Sequence, residues 1–148
     1  MGGHPYYYFV RYDADIDAAL QRLRDREFEA GHYNPAEPFP EFPLTSESPS
    51  PGRRHNAIDD AREEAAEDGT RSILDVDQVG EEPDYGVAAP FPADLLLDLF
   101  RTLRPTRHQV QEQILDLLRP IERGQCLYLV VSEDGRPSDL FFAGYSYD

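Results

Sequence analysis

From Gln125 to Ser132 the chain is an almost unbroken run of apolar, strand-forming residues, Cys126-Leu127-Tyr128-Leu129-Val130-Val131 at its centre. A strand with one wet face alternates polar and apolar residues, so this run predicts an inner strand covered on both sides. Glu133-Asp134-Gly135-Arg136-Pro137-Ser138 then supplies turn residues, and Leu140 to Tyr147 returns as the second arm of a hairpin. Any fold built on this hairpin must bring other elements over both of its faces.

The rest of the sequence offers such elements. Tyr6 to Tyr12 is dense in aromatics, with Tyr6, Tyr8, Val10 and Tyr12 on one face and Tyr7, Phe9 and Arg11 on the other, which predicts a first strand. Asp13 or Asp15 caps a helix carrying Ile16, Ala19, Leu20, Leu23 and Phe28, and Gly31 stands where a glycine stop belongs. Six prolines then lie between Pro35 and Pro51, so residues 33–54 form a proline-rich loop expected to be the most mobile part of the domain, the alternative being that Phe39, Phe42 and Leu44 pin it to the body. Asn56 caps a second helix through Asp68, with Ile58, Ala61 and Ala65 inward and Gly69 as its stop. Thr70 to Val76 alternates as a second strand, and Gly80 to Pro90 is irregular. Pro92 opens a third helix to about Leu103, and Thr106 with Gln109 forms the capping box of a fourth that carries Val110, Ile114, Leu117, Leu118 and Ile121. The expected order is β-α-loop-α-β-α-α-β-β. It describes a single α+β domain over residues 1–148, with an about four-stranded mixed or antiparallel sheet and helices packed on it.

Charge narrows the partners. Twenty-nine acids oppose fourteen bases, all of them arginine, for a formal net charge of −15. Such a chain repels nucleic acid and anionic membrane surfaces and attracts basic proteins. The acids are concentrated: Asp59, Asp60, Glu63, Glu64, Glu67, Asp68, Asp75, Asp77, Glu81, Glu82 and Asp84 stand against Arg62 and Arg71, eleven against two, leaving −9 on residues 59–84. Residues 93–124 balance five acids with five arginines. The single cysteine, Cys126, sits in the apolar run and reads as a buried thiol. No stretch approaches the roughly 20 apolar residues of a membrane span, and the first residues show no basic-then-apolar leader, so the chain is read as cytoplasmic. A myristoylation motif fails because Tyr6 stands where serine or threonine is needed.

Chemical signatures are sparse. An EF-hand starting at Asp13 has Ala18 at its glycine position and Arg24 at its glutamate position. One starting at Asp75 places Val79 and Gly86 where oxygen ligands belong. His4, His32, His55 and His108 have no histidine or cysteine at a ligand spacing, so neither metal nor cofactor is expected. The one anion-directed cluster is Gly52-Arg53-Arg54-His55-Asn56 at the mouth of the second helix, where Arg53, Arg54, His55 and Asn56 would hold a phosphate or carboxylate and His55 would serve as acid or base. The expected function is an acidic protein-binding module of inhibitor, immunity or adaptor type. Asp59, Asp60, Glu63, Glu64, Glu67, Asp68, Asp77, Glu81, Glu82 and Asp84 would form its face, with Tyr6 and Tyr8 as anchors. The alternative is a small enzyme or anion-binding protein acting through Arg53, Arg54 and His55. A mimic of nucleic acid phosphates is a third expectation.

Because these ligand spacings fail, chelation is expected to leave the thermal midpoint unchanged. A fall of several degrees that zinc or calcium restores would contradict this.

Overall fold

The computed structural model describes residues 3–37 and 41–147; Phe39, one of the residues expected to attach the loop, lies outside them. In chain order the elements are β1 (Pro5–Arg11), α1 (Ile16–Ala30), α2 (Ile58–Ala65), β2 (Gln78–Val79), β3 (Val87–Pro90), α3 (Ala93–Phe100), α4 (Arg107–Glu112), α5 (Ile114–Leu118), β4 (Cys126–Glu133) and β5 (Arg136–Tyr145). One five-stranded sheet runs β1-β5-β4-β3-β2. Its β1-β5 and β5-β4 pairs are antiparallel, and its β4-β3 and β3-β2 pairs are parallel. The sheet is therefore mixed, with one strand more than expected.

β5 lies between the first strand and the apolar run, and it is buried on both faces. Leu140 and Phe142 join Tyr6, Tyr8, Cys126 and the stripe of α1 in one core, while Phe141 and Ala143 join Phe91, Leu127, Leu129, Val131 and the apolar sides of α3, α4 and α5 in the other. Tyr6 and Tyr8 are each 1% exposed, and the Tyr8 hydroxyl accepts a hydrogen bond from the Ile73 amide at 3.3 Å. A buried phenol needs such a partner. Gly144 faces Tyr6 across the β1-β5 ladder, and a side chain there would collide with the Tyr6 ring and hydroxyl.

The helix signals of α1 hold. Asp15 accepts from the Ala18 amide at 3.1 Å, and Gly31 takes a left-handed φ of 76° while its amide reaches back to Glu27 and Phe28. The capping box of Thr106 and Gln109 is also present. Its helix breaks at Gln113 into α4 and α5, where φ is −116° and ψ 21°.

Three expectations are corrected. Thr70 to Val76 is not a strand: Ile73–Asp75 is a 3-10 turn, Arg71 has φ 56°, and the Ser72 side chain caps the turn by accepting from the Leu74 amide at 3.2 Å. Short polar side chains here offer the backbone local partners in place of a ladder. The ladder forms instead at Gln78–Val79, just after this segment, and at Val87–Pro90, inside the Gly80 to Pro90 stretch expected to be irregular. Asn56 does not cap α2; Ala57 occupies the N-cap and gives no side-chain hydrogen bond.

The proline-rich segment is fastened to the body at several described points. Leu44 is fully buried; its amide donates to Pro5 O at 3.3 Å and its carbonyl accepts from the Tyr7 amide at 3.1 Å. Arg26 Nη2 reaches Ser46 Oγ at 2.6 Å, His32 Nε2 meets Ser50 Oγ at 2.8 Å, and the Gly52 amide donates to Ala30 O at 3.0 Å. Since a buried leucine truncated to alanine typically costs about 2–5 kcal/mol, Leu44→Ala is expected to lower unfolding stability by that order in urea titrations. A loss below about 1 kcal/mol would mean that the segment contributes little to the core.

Candidate functional site

Local hydrogen bonds decide what the arginine-histidine cluster is free to do. The His55 Nε2 lies 3.0 Å from a Glu64 carboxylate oxygen and its Nδ1 2.8 Å from the Tyr33 hydroxyl, which also accepts from the Arg54 amide at 3.2 Å. A carboxylate accepts only, so Nε2 donates to Glu64, and Nδ1 shares its hydrogen bond with the Tyr33 hydroxyl. Both ring nitrogens are thus occupied within the protein. Tyr33 is fully buried and burial pushes its phenol pKa up, so the hydroxyl serves as an anchor and not as a nucleophile. Arg53 pairs with Glu29 at 3.3 Å and its guanidinium lies over the Phe28 ring. Arg54 is exposed and makes no ion pair among the described residues. The shallow cleft at the mouth of α2 includes Asn56, Ala57 and Ile58 but also Asp25, Glu29 and Asp59, carboxylates that oppose an anion.

A second latch holds the start of the same loop. Glu27 and His32 are both buried, with His32 Nδ1 2.9 Å from the Glu27 carboxylate. Burial raises the Glu27 pKa, and the His32 hydrogen bond opposes that shift.

The acidic segment presents a different geometry. Asp59, Asp60, Glu63, Glu64, Glu67, Asp68, Asp77, Glu81, Glu82 and Asp84 are all exposed. Arg62 joins their two halves: Nη1 meets Asp77 at 3.3 Å and Nη2 meets Asp75 O at 3.4 Å, tying α2 to the β2 edge of the sheet. At Asp75 and Asp77 a guanidinium of the chain supplies the positive charge. Among the described residues no three histidine, cysteine or acidic side chains converge to hold a metal.

Tyr85 is the residue that strand and charge patterns did not single out. It is 66% exposed between Asp84 and Gly86, its ring centroid 5.6 Å from that of Tyr147. Gly124, with φ 81°, leaves the space that both rings fill. Tyr147 also borders Gly69, which closes the 3-10 turn Ala66–Asp68 after α2, so the 81–86 turn and the acids of that 3-10 turn adjoin through this aromatic pair. The signal was present as a bulky aromatic inside the acidic Glu-Glu-Pro-Asp-Tyr-Gly stretch. By contrast, Tyr6 and Tyr8, expected as anchors, are interior residues and reach no partner.

Cys126 is fully buried and its thiol pKa is pushed up to about 12 by desolvation, which keeps it protonated and unreactive. No helix of the described residues is long and apolar enough to cross a membrane. Neither family models nor curated proteins nor solved structures match the chain.

Asp75 is the one acid of the segment that turns inward. One carboxylate oxygen accepts from the Thr70 amide and hydroxyl, each at 2.8 Å, while Oδ2 is buried without a hydrogen bond. Desolvation raises its pKa above the usual aspartate value despite the Thr70 bonds. A raised folded-state pKa for an acid means that the folded chain binds the proton more tightly, so stability falls as pH rises from the unfolded aspartate value through the folded one. Asp75→Asn removes that term. The variant is expected to lose less unfolding free energy between pH 4 and pH 8 than the parent, as followed by denaturant titration; equal slopes in both would contradict the assignment.

Proposed function

We propose that the chain is a protein-binding module of inhibitor, immunity or adaptor type that docks a basic protein surface on the face formed by α2 and the 77–86 edge. The observation that carries this reading is the combination of ten exposed carboxylates, on α2 and the segments that Arg62 and Tyr147 join to it, with the exposed ring of Tyr85. Charge of one sign over such a patch steers a basic partner and favours one approach. An aromatic ring held by Tyr147 and backed by Gly124 supplies contact area at small entropic cost, as anchors in interfaces do. The mechanism is occlusion of the partner surface, with no chemical step. Residues 53–56 serve this reading as a support, because His55 fixes the Glu64 side chain at the border of the patch.

The alternative, an anionic ligand held by Arg53, Arg54, His55 and Asn56, would rely on Arg54 as its one unpaired guanidinium. Variants separate the two. The partner captured from native lysate is expected to associate about tenfold more slowly with the Glu63→Gln, Glu67→Gln, Glu81→Gln, Glu82→Gln chain, and with a flatter salt dependence. Tyr85→Ala is expected to speed dissociation and leave the salt slope intact, whereas Arg53→Ala with Arg54→Ala binds as the parent does. Retention of full association rate by the glutamine chain, or loss of binding in the double arginine chain, would overturn the proposal.

A further inference from the structure

β2 and β1 close the two ends of the sheet, and the β1 end differs from the acidic one in both backbone and charge. In an antiparallel pair, alternate residues direct their N–H and C=O groups toward the partner strand and the intervening ones direct them away. The Tyr7 amide points away from β5, since it donates to Leu44 O, and the Tyr12 amide points toward β5, since it donates to Ser138 O. Phe9 and Arg11 therefore share the outward set with Tyr7. Leu44 satisfies that edge only as far as Tyr7: a turn follows in which the Ser48 amide donates to Thr45 O and carries the loop away. Among the described residues, nothing pairs with the outward amides of Phe9 and Arg11.

The open stretch lies between two clefts. One, of about 290 Å3, is lined by Phe9, Ser46, Glu47, Arg107, Gln111 and Ile114 among others. The other, of about 450 Å3, is lined by Val10, Arg11, Tyr12, Asp13, Arg22 and Arg26 among others. Arg107 lies over the Phe9 ring at 4.3 Å, Arg22 pairs with Asp13 at 2.8 Å, and Arg11 makes no ion pair among the described residues. Four guanidinium groups thus border this edge, against the lining carboxylates of Asp13 and Glu47, in a chain of net charge −15.

We propose that the open edge of β1 at Phe9–Arg11 receives an extended, acidic segment of a partner protein as an added strand, continuing the pairing that Leu44 begins. Strand addition takes its affinity from main-chain hydrogen bonds and its selectivity from alternate side chains. Here those side chains enter the two clefts in turn, and acids among them meet Arg11, Arg22, Arg26 and Arg107. A second copy of this chain is disfavoured as the occupant, because β1 set against β1 brings both arginine groups together between two strongly acidic molecules. This surface is separate from the acidic face and stands whether or not that face docks a basic protein.

The probe is a fluorescein-labelled heptapeptide of alternating valine and aspartate, titrated against the full chain by fluorescence anisotropy. Saturable binding is expected. N-methylation of one alternate set of peptide amides weakens it about tenfold while methylation of the other set leaves it unchanged, the register signature of an added strand. Arg11→Glu with Arg22→Glu is expected to weaken binding about tenfold, and Arg104→Glu with Arg136→Glu, at exposed sites away from the edge, to leave it unchanged. Circular dichroism checks that each variant is folded. No saturable binding, equal weakening by both methylation patterns, or indifference to the Arg11 and Arg22 changes would each overturn the proposal. So would a concentration-dependent dimer in sedimentation that Arg11→Glu abolishes, since the occupant would then be a second copy.

Discussion

The antiparallel pairing of β1 with β5 is the contact on which the rest of the molecule depends. It brings the first strand against the last, so the sheet is complete only when both ends of the described chain are in place. It also gives β5 two neighbours and two buried faces, placing Phe142 with Tyr6 and Tyr8 under α1 and Phe141 with Phe9 and Phe91 under the later helices. Apolar burial on both sides of one strand is the largest favourable term available to a domain of this size. Pairing of such sequence-distant strands carries a loop-closure entropy cost that local contacts do not.

Polar networks then decide where the irregular segments sit. Glu27 and His32 hold Ser50, Tyr33 and Glu64 hold His55, and Arg62 holds Asp75 and Asp77. Each network occupies groups that a list of residue types would offer for catalysis or metal binding. Buried polar groups need partners, and in this chain those partners are other parts of the same chain. What remains exposed at the two sheet ends, among the described residues, is the carboxylates and the Tyr85 ring near β2, and Arg11 with the bare backbone of Phe9 and Arg11 beside β1.

Much of this was legible in the sequence where local signals are strong. The faces of Tyr6 to Tyr12, the Asp15 and Gly31 caps, the Thr106 capping box and the C-terminal hairpin follow from spacing and cap chemistry that need no tertiary information. The errors arose where local side-chain bonds or tertiary context override such signals. Thr70 to Val76 alternates like a strand, yet Thr70, Ser72 and Asp75 bond to nearby backbone and to one another and curl it into a turn. Val87–Pro90 holds two alanines and a proline, and becomes a strand because β4 and β2 pair with it. The acidic face was visible in charge placement, but the burial of Tyr6 and Tyr8 was not, since an aromatic strand carries the same pattern whether its face meets a helix or a partner. The occupied state of His55 was invisible because Tyr33 and Glu64 reach it across loops.

The central claim is that β5 organises a sheet whose β1 side is unpaired beyond Tyr7. Residue-resolved amide hydrogen exchange in the free protein tests it most directly, because exchange reports which backbone groups are bonded and which meet water. The prediction is slow exchange at Tyr8, Val10 and the 140–143 stretch of β5, with fast exchange at Phe9 and Arg11. Uniform protection from Tyr8 through Arg11 would contradict the account, for it would show that the edge of β1 is already covered.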